Sequence, residues 1–138
     1  MTQEKMQHLE FIQNNISRMN TNSFQIKGIA ITIVTALLAI YVNNNNICFV
    51  FLPVFPTVLF WFLDSYYLQQ ERKLRGLYND VAGLNSSNSV RDYEMPISSY
   101  TGNGFSFSES FLSKTIIWIY LPIILLLLFS GLLIILIK

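Results

Sequence analysis

Two opposite charges interrupt the chain's first apolar runs at matched depths. Lys27 precedes the uncharged run 28–42, and Asp64 follows the uncharged run 47–63. The turn Asn43–Asn46 lies between the runs; from its midpoint Lys27 is about 17.5 residues back and Asp64 about 19.5 forward. On two helices joined by that turn the difference is about 3 Å at the helical rise, close enough for an ion pair. The same count sets Arg18 and Glu71 at equal distances, a second candidate pair. A carboxylate at membrane depth offers two chemistries: an anchor paired to Lys27, or one member of a carboxylate ring that favours cations at a pore mouth. Arg72, Lys73 and Arg75 follow as a basic cluster. They read either as topology anchors or as a site for an anionic signal, a nucleotide phosphate or a lipid headgroup.

Small residues mark a second feature. Gly28, Thr32, Ala36 and Ala39 recur at spacings of four and three and share one helical face. Such a face permits close helix packing, within one chain or between subunits. Alternatively, Thr32 and Thr35 hydroxyls line a narrow pore, with bulky apolar neighbours acting as a dewetting gate. Pro53 and Pro56 remove backbone donors from the second run and predict a bend, or a moving hinge in a gated pore. Cys48 beside them reads as an apolar filler or an intersubunit disulfide.

Catalytic constellations are lacking. His8 and Cys48 are predicted on opposite sides of a bilayer, so they cannot act as base and nucleophile within one chain. Gly102-Asn103-Gly104 has neither the following Gly-Lys-Ser/Thr of a phosphate loop nor a strand before it. Asp92 and Glu94 form a loop carboxylate pair without further ligands for a metal. Neither an enzyme nor a metal or cofactor site is expected. A net charge of +1 offers no basic domain for duplex nucleic acid, and one Cys excludes an intrachain disulfide framework.

The elements that position these residues follow from hydropathy. Runs 28–42, 47–63 and 115–137 are each bracketed by charge or a polar turn, and the last is long enough to cross a bilayer as a helix. The two earlier runs are shorter but extend if interfacial residues are counted. A hydrophobic share of 52% and a charged share of 12% leave too little polar surface to clothe a water-soluble globule. The expected fold is therefore an all-α integral membrane protein with three transmembrane helices, the first two forming an antiparallel hairpin. Three spans cannot enclose a pore alone, so any channel is a cyclic homo-oligomer. The first 26 residues are too polar for a signal peptide and read as part of the mature protein.

Eight of the nine Lys and Arg residues precede the first span or lie between the second and third. Positive segments stay in the cytoplasm, so the N-terminus and segment 65–114 are predicted cytoplasmic, and the 43–46 turn and C-terminus external. Leu9, Ile12, Ile16 and Met19 before the hairpin, and Tyr67, Leu74, Leu77 and Val81 after it, recur at helical spacing and predict paired cytoplasmic helices. Gly76 weakens the second, and Asn20 to Ser23 interrupt the first. The domain reading is 1–26 cytoplasmic amphipathic helix, 27–68 transmembrane hairpin, 69–81 cytoplasmic helical extension, 82–113 loop, and 114–138 third span. The loop carries turn clusters at 85–89, 95–96 and 101–104, then Phe105, Phe107 and Phe111, which either lie on the membrane face or form a sensing lip.

Residues 22–28, Asn-Ser-Phe-Gln-Ile-Lys-Gly, and the stretches 60–68 and 71–78 resemble small bacterial membrane proteins of the SLATT-like type, effectors associated with phage defence. The likeness covers roughly the first 81 residues. It implies a membrane hairpin with cytoplasmic extensions that oligomerises to depolarise or permeabilise the inner membrane when a partner senses infection. The third span departs from that family's usual two-span plan. Function is thus expected to be a bacterial inner-membrane effector or ion channel triggered by a cytoplasmic sensor protein or nucleotide signal, with a non-conducting scaffold for such a partner as the alternative.

Overall fold

The computed structural model describes residues 2–84, 90, 91 and 93–137, in which there is helix but no strand. Helix α1 (Gln3–Asn44) is one uninterrupted element. Its start is fixed by Thr2, whose hydroxyl accepts the Lys5 N–H at 3.3 Å. Its end is fixed by Asn45 in the left-handed region at φ 51°, a conformation Asn tolerates. The predicted interruption at Asn20 to Ser23 is absent: these polar side chains are accommodated within the continuous helix. At 42 residues α1 is about 63 Å long, roughly twice the hydrocarbon thickness of a bilayer.

After a short helix α2 (Cys48–Phe51), the chain enters α3 (Val54–Ala82), then a 3₁₀ turn at Ile97–Ser99, a short α4 (Phe107–Phe111) and α5 (Lys114–Ile137). Three helical stretches, Gln3–Asn44, Cys48–Ala82 and Lys114–Ile137, are long and apolar enough to cross a membrane, as in a multi-pass membrane protein. On α5, Trp118, Leu126, Phe129 and Leu136 are exposed, as a lipid-facing helix requires.

Two cores join the helices. Ile12 and Ile16 from early α1 meet Leu74, Leu77 and Val81 from late α3, flanked by Leu9, Met19 and Tyr78. Ala30 of α1 packs with Ile116 and Tyr120 of α5, beneath Phe60, Trp61 and Leu68 of α3. The two stripes expected at the helical period therefore bury one another, except for Tyr67, which is half-buried outside this core.

Segment 93–113 is less loop-like than its turn clusters predict. Gln69 Nε2 donates to the Phe105 carbonyl at 2.9 Å, Trp61 Nε1 to the Phe111 carbonyl at 3.1 Å, and Tyr100 Oη to Asp80 at 2.6 Å. Phe111 stacks on Trp61 with centroids 4.7 Å apart. Gly76 makes this possible: a Cβ there would stand 2.9 Å from Tyr100 and 3.0 Å from Phe105. The residue that weakens α3 as a helix is the seat on which the strap rests. Asn85 to Ser89 of the predicted loop, and Lys138, lie outside the described residues.

Candidate functional site

Lys27 and Asp64 meet, with Nζ 2.6 Å from Oδ2, as their shared depth predicts. Asp64 is fully buried, whereas 19% of the Lys27 side chain remains accessible. Ser23, one turn before Lys27, donates its hydroxyl to the other oxygen of Asp64 and accepts from Lys27 Nζ at 2.5 Å. From α5, the fully buried Tyr120 packs beside this group, but its hydroxyl makes no hydrogen bond among the described residues. Ser23 and Lys27 of α1 and Asp64 of α3 thus form one polar knot in an otherwise apolar setting. A buried charge is tolerated only with such compensation. Within the chain, Asp64 is spent on this knot and presents no carboxylate to the surface.

Arg18 and Glu71, matched by the same count, do not pair. Glu71 Oε1 accepts from Arg75 Nε at 2.7 Å, and Arg18 is exposed. Equal distance along two axes fixes depth but not azimuth. Arg18 is nine residues from Lys27, about two and a half turns, and so projects from the opposite face of α1. Glu71 is seven residues from Asp64, close to two full turns, and remains on the buried face of α3.

Gly28, Thr32, Thr35, Ala36 and Ala39 are all exposed, while Ile26, Ala30 and Val34 are buried. Ala30 is two positions from Gly28 and from Thr32, so both project about 160° away from it. A Cβ on Gly28 would touch nothing within 4 Å. The Thr32 hydroxyl donates to the Gly28 carbonyl at 2.9 Å, and that of Thr35 to the Ile31 carbonyl at 2.9 Å. Packing within one chain therefore does not use the stripe, and both hydroxyls turn back to their own helix.

Pro53 and Pro56 stand at the start of α3, inside the helical stretch Cys48–Ala82. Pro53 is its N-cap and Pro56 lies in the first turn, where a missing N–H costs little. The regular helix lapses only at Leu52 and Pro53, both in right-handed helical conformation, and Thr57 donates Oγ1 back to the Pro53 carbonyl at 2.7 Å. Cys48 is exposed and free, not a buried filler.

Of the basic cluster, Arg72 and Arg75 line one cleft of about 540 Å³ with Phe105 and Glu109, while Lys73 is not among the lining residues. A second cleft of about 370 Å³ between α1 and α3 is lined by Gln13, Ser17, Asn20, Arg75 and Asn79. No group of three or more metal-ligating side chains occurs among the described residues. Asp92 of the loop carboxylate pair lies outside them. His8 is fully buried, stacked on Tyr93 and accepting its backbone N–H at Nδ1 over 3.3 Å. Sequence reading gave His8 no buried role and did not join Ser23 to the Lys27–Asp64 pair or seat Tyr120 beside it. Ser23 carried a signal, since it lies one turn before Lys27; His8 and Tyr120 are placed by partners far along the chain. Comparison with family models, curated proteins and solved structures finds no match to the chain.

Proposed function

We propose that the chain is a homo-oligomeric effector of the bacterial inner membrane that permeabilises or depolarises it on a signal from a cytoplasmic partner. The observation that carries this reading is the division of α1 into two faces. Ile26, Ala30 and Val34 are buried, while the small-residue stripe is left uncovered. Small residues let helices approach closely in lipid, where association has no hydrophobic drive. In this reading α1 and α3 form an antiparallel hairpin, closed at the membrane by the Lys27–Asp64 knot and extended into the cytoplasm by the Ile12–Leu77 core. The charge distribution sets the N-terminus in the cytoplasm and the C-terminus outside. Copies then associate through the α1 stripe, and the α2–α3 junction at Pro53 is the gating joint. The likeness to SLATT-like proteins adds the expectation of antiviral defence, and no enzymatic step is involved.

Reconstitution in liposomes tests this. Ion flux that depends on oligomer formation and is abolished by Ala36→Leu or Ala39→Leu supports it. Absence of flux in every oligomeric state and with any sensor partner refutes it.

One observation favours a second reading, a non-conducting scaffold that holds a cytoplasmic partner at the membrane. Thr32 and Thr35 donate their hydroxyls to their own backbone, leaving little polarity on the stripe for an ion path. A scaffold predicts that Ala36→Leu disrupts assembly while membrane potential never changes.

A further inference from the structure

Arg72 Nη2 donates to the Ser113 hydroxyl at 3.3 Å, and Ser113 immediately precedes α5. If α5 enters the hydrocarbon where its apolar run begins, the Arg72 guanidinium is fixed at the level of lipid phosphates. The cleft beside it is lined by Arg72 and Arg75 from α3 and by Phe105 and Glu109 from segment 93–113. Its charges are balanced. Arg75 shares its Nε–H with Glu71, and Glu109 keeps one carboxylate oxygen on the Gly104 N–H. A purely anionic ligand would meet Glu109 and be repelled. A zwitterion would satisfy both signs of charge: phosphate on the forked guanidinium donors, and an ammonium on the second Glu109 oxygen, next to the face or edge of an aromatic ring.

We propose that this cleft binds the headgroup of a phospholipid bearing a primary ammonium, with Arg72 and Arg75 on the phosphate and Glu109 on the ammonium. The inference uses the membrane reading but not conduction, so a chain that conducts nothing can still bear it out. A primary ammonium donates hydrogen bonds to a carboxylate, which a quaternary one cannot, and phosphatidylglycerol offers no cation at all.

The test is titration of the purified full-length protein in mild detergent with short-chain phosphatidylethanolamine, phosphatidylcholine, phosphatidylglycerol and, separately, inorganic phosphate. Phosphatidylethanolamine should bind about tenfold more tightly than the other two lipids, the scale of one charge-assisted hydrogen bond. Glu109→Gln, which can still accept the Gly104 N–H, should reduce it to the phosphatidylcholine level. Arg75→Gln should weaken all three lipids. Equal affinity for the ethanolamine and choline lipids in the unmodified chain overturns the proposal without reliance on any variant. Tighter binding of phosphatidylglycerol overturns it in favour of an anionic-lipid site, and displacement by equimolar inorganic phosphate in favour of a free-anion site.

Discussion

Removing Lys27 is expected to cost far more than removing Asp64, although the two form one ion pair. Lys27→Met leaves a carboxylate with no accessible surface and only the Ser23 hydroxyl as a close donor. Breaking a buried pair in this way costs about 3–5 kcal/mol, because the remaining charge is uncompensated. Asp64→Asn leaves an ammonium whose side chain is already 19% accessible and whose flexible stem can carry it to the interface. Its expected cost is the lost charge-assisted bonds, about 1.5–3 kcal/mol. The double variant Lys27→Met/Asp64→Leu replaces the pair by apolar volume and should return to within about 1 kcal/mol of the parent, since such replacements are often neutral. Unfolding in mild detergent, followed by helical circular dichroism across a denaturant series, gives the three differences. The reasoning fails if the single variants cost the same and the double variant equals their sum within about 0.5 kcal/mol, the range of independent sites.

Gly76→Ala gains up to about 1 kcal/mol of helix propensity, yet its new methyl meets Tyr100 and Phe105 at 2.9–3.0 Å. Sterics should win, and faster proteolysis within 101–104 would report the displaced strap. Gly131→Ala sets a methyl into the Phe51 ring and should destabilise by about 1–3 kcal/mol, with Phe51→Leu in the same chain recovering part of the melting temperature. Burial, then the hydrogen bond to Asp80, raises the Tyr100 phenol above its ordinary range. The folded state therefore holds this proton more tightly than the unfolded chain, so its stabilising effect is complete below about pH 10 and declines as pH rises above it. Hydrogen exchange in 95–105 should accelerate above that pH, and the added pH dependence should vanish in Tyr100→Phe. Cys48 is exposed beside the 43–46 turn and should react with a membrane-impermeant maleimide only from the external face; labelling from the cytoplasmic face alone would invert the proposed orientation.

What the sequence made legible was whatever depends on one coordinate along a helix. Apolar runs and charge brackets locate three long helices, because burial in hydrocarbon is a property of consecutive residues. Counting from the Asn43–Asn46 turn matched Lys27 to Asp64 for the same reason. Its failure at Arg18 and Glu71 marks the limit of that method, since depth alone ignores rotation. Adding about 100° per residue would have separated Arg18 from the packed face. Segment 93–113 was illegible for another reason. Its order comes from partners such as Trp61 for Phe111, 50 residues apart, and Gln69 for Phe105, 36 apart. No local period encodes such pairs, and turn-forming residues read the same whether a loop is free or strapped down.

The same rotational argument gives α1 its functional interest. A helix that packed only within its own chain would concentrate its small residues on the buried face, where backbones approach. Here the buried face carries Ile26, Ala30 and Val34, and Gly28, Thr32, Ala36 and Ala39 stand uncovered. In water such a face would need no explanation, but in lipid bulky side chains solvate better than glycine and threonine do. If the stripe merely faced lipid, replacing Ala36 and Ala39 by Leu should leave assembly intact and improve insertion. If it seats a second copy, the same pair of changes forces the helices apart by the added side-chain volume. Crosslinking in membranes distinguishes the two: loss of the oligomer with the monomer still folded identifies the stripe as the subunit contact, and an unchanged oligomer assigns association to another face.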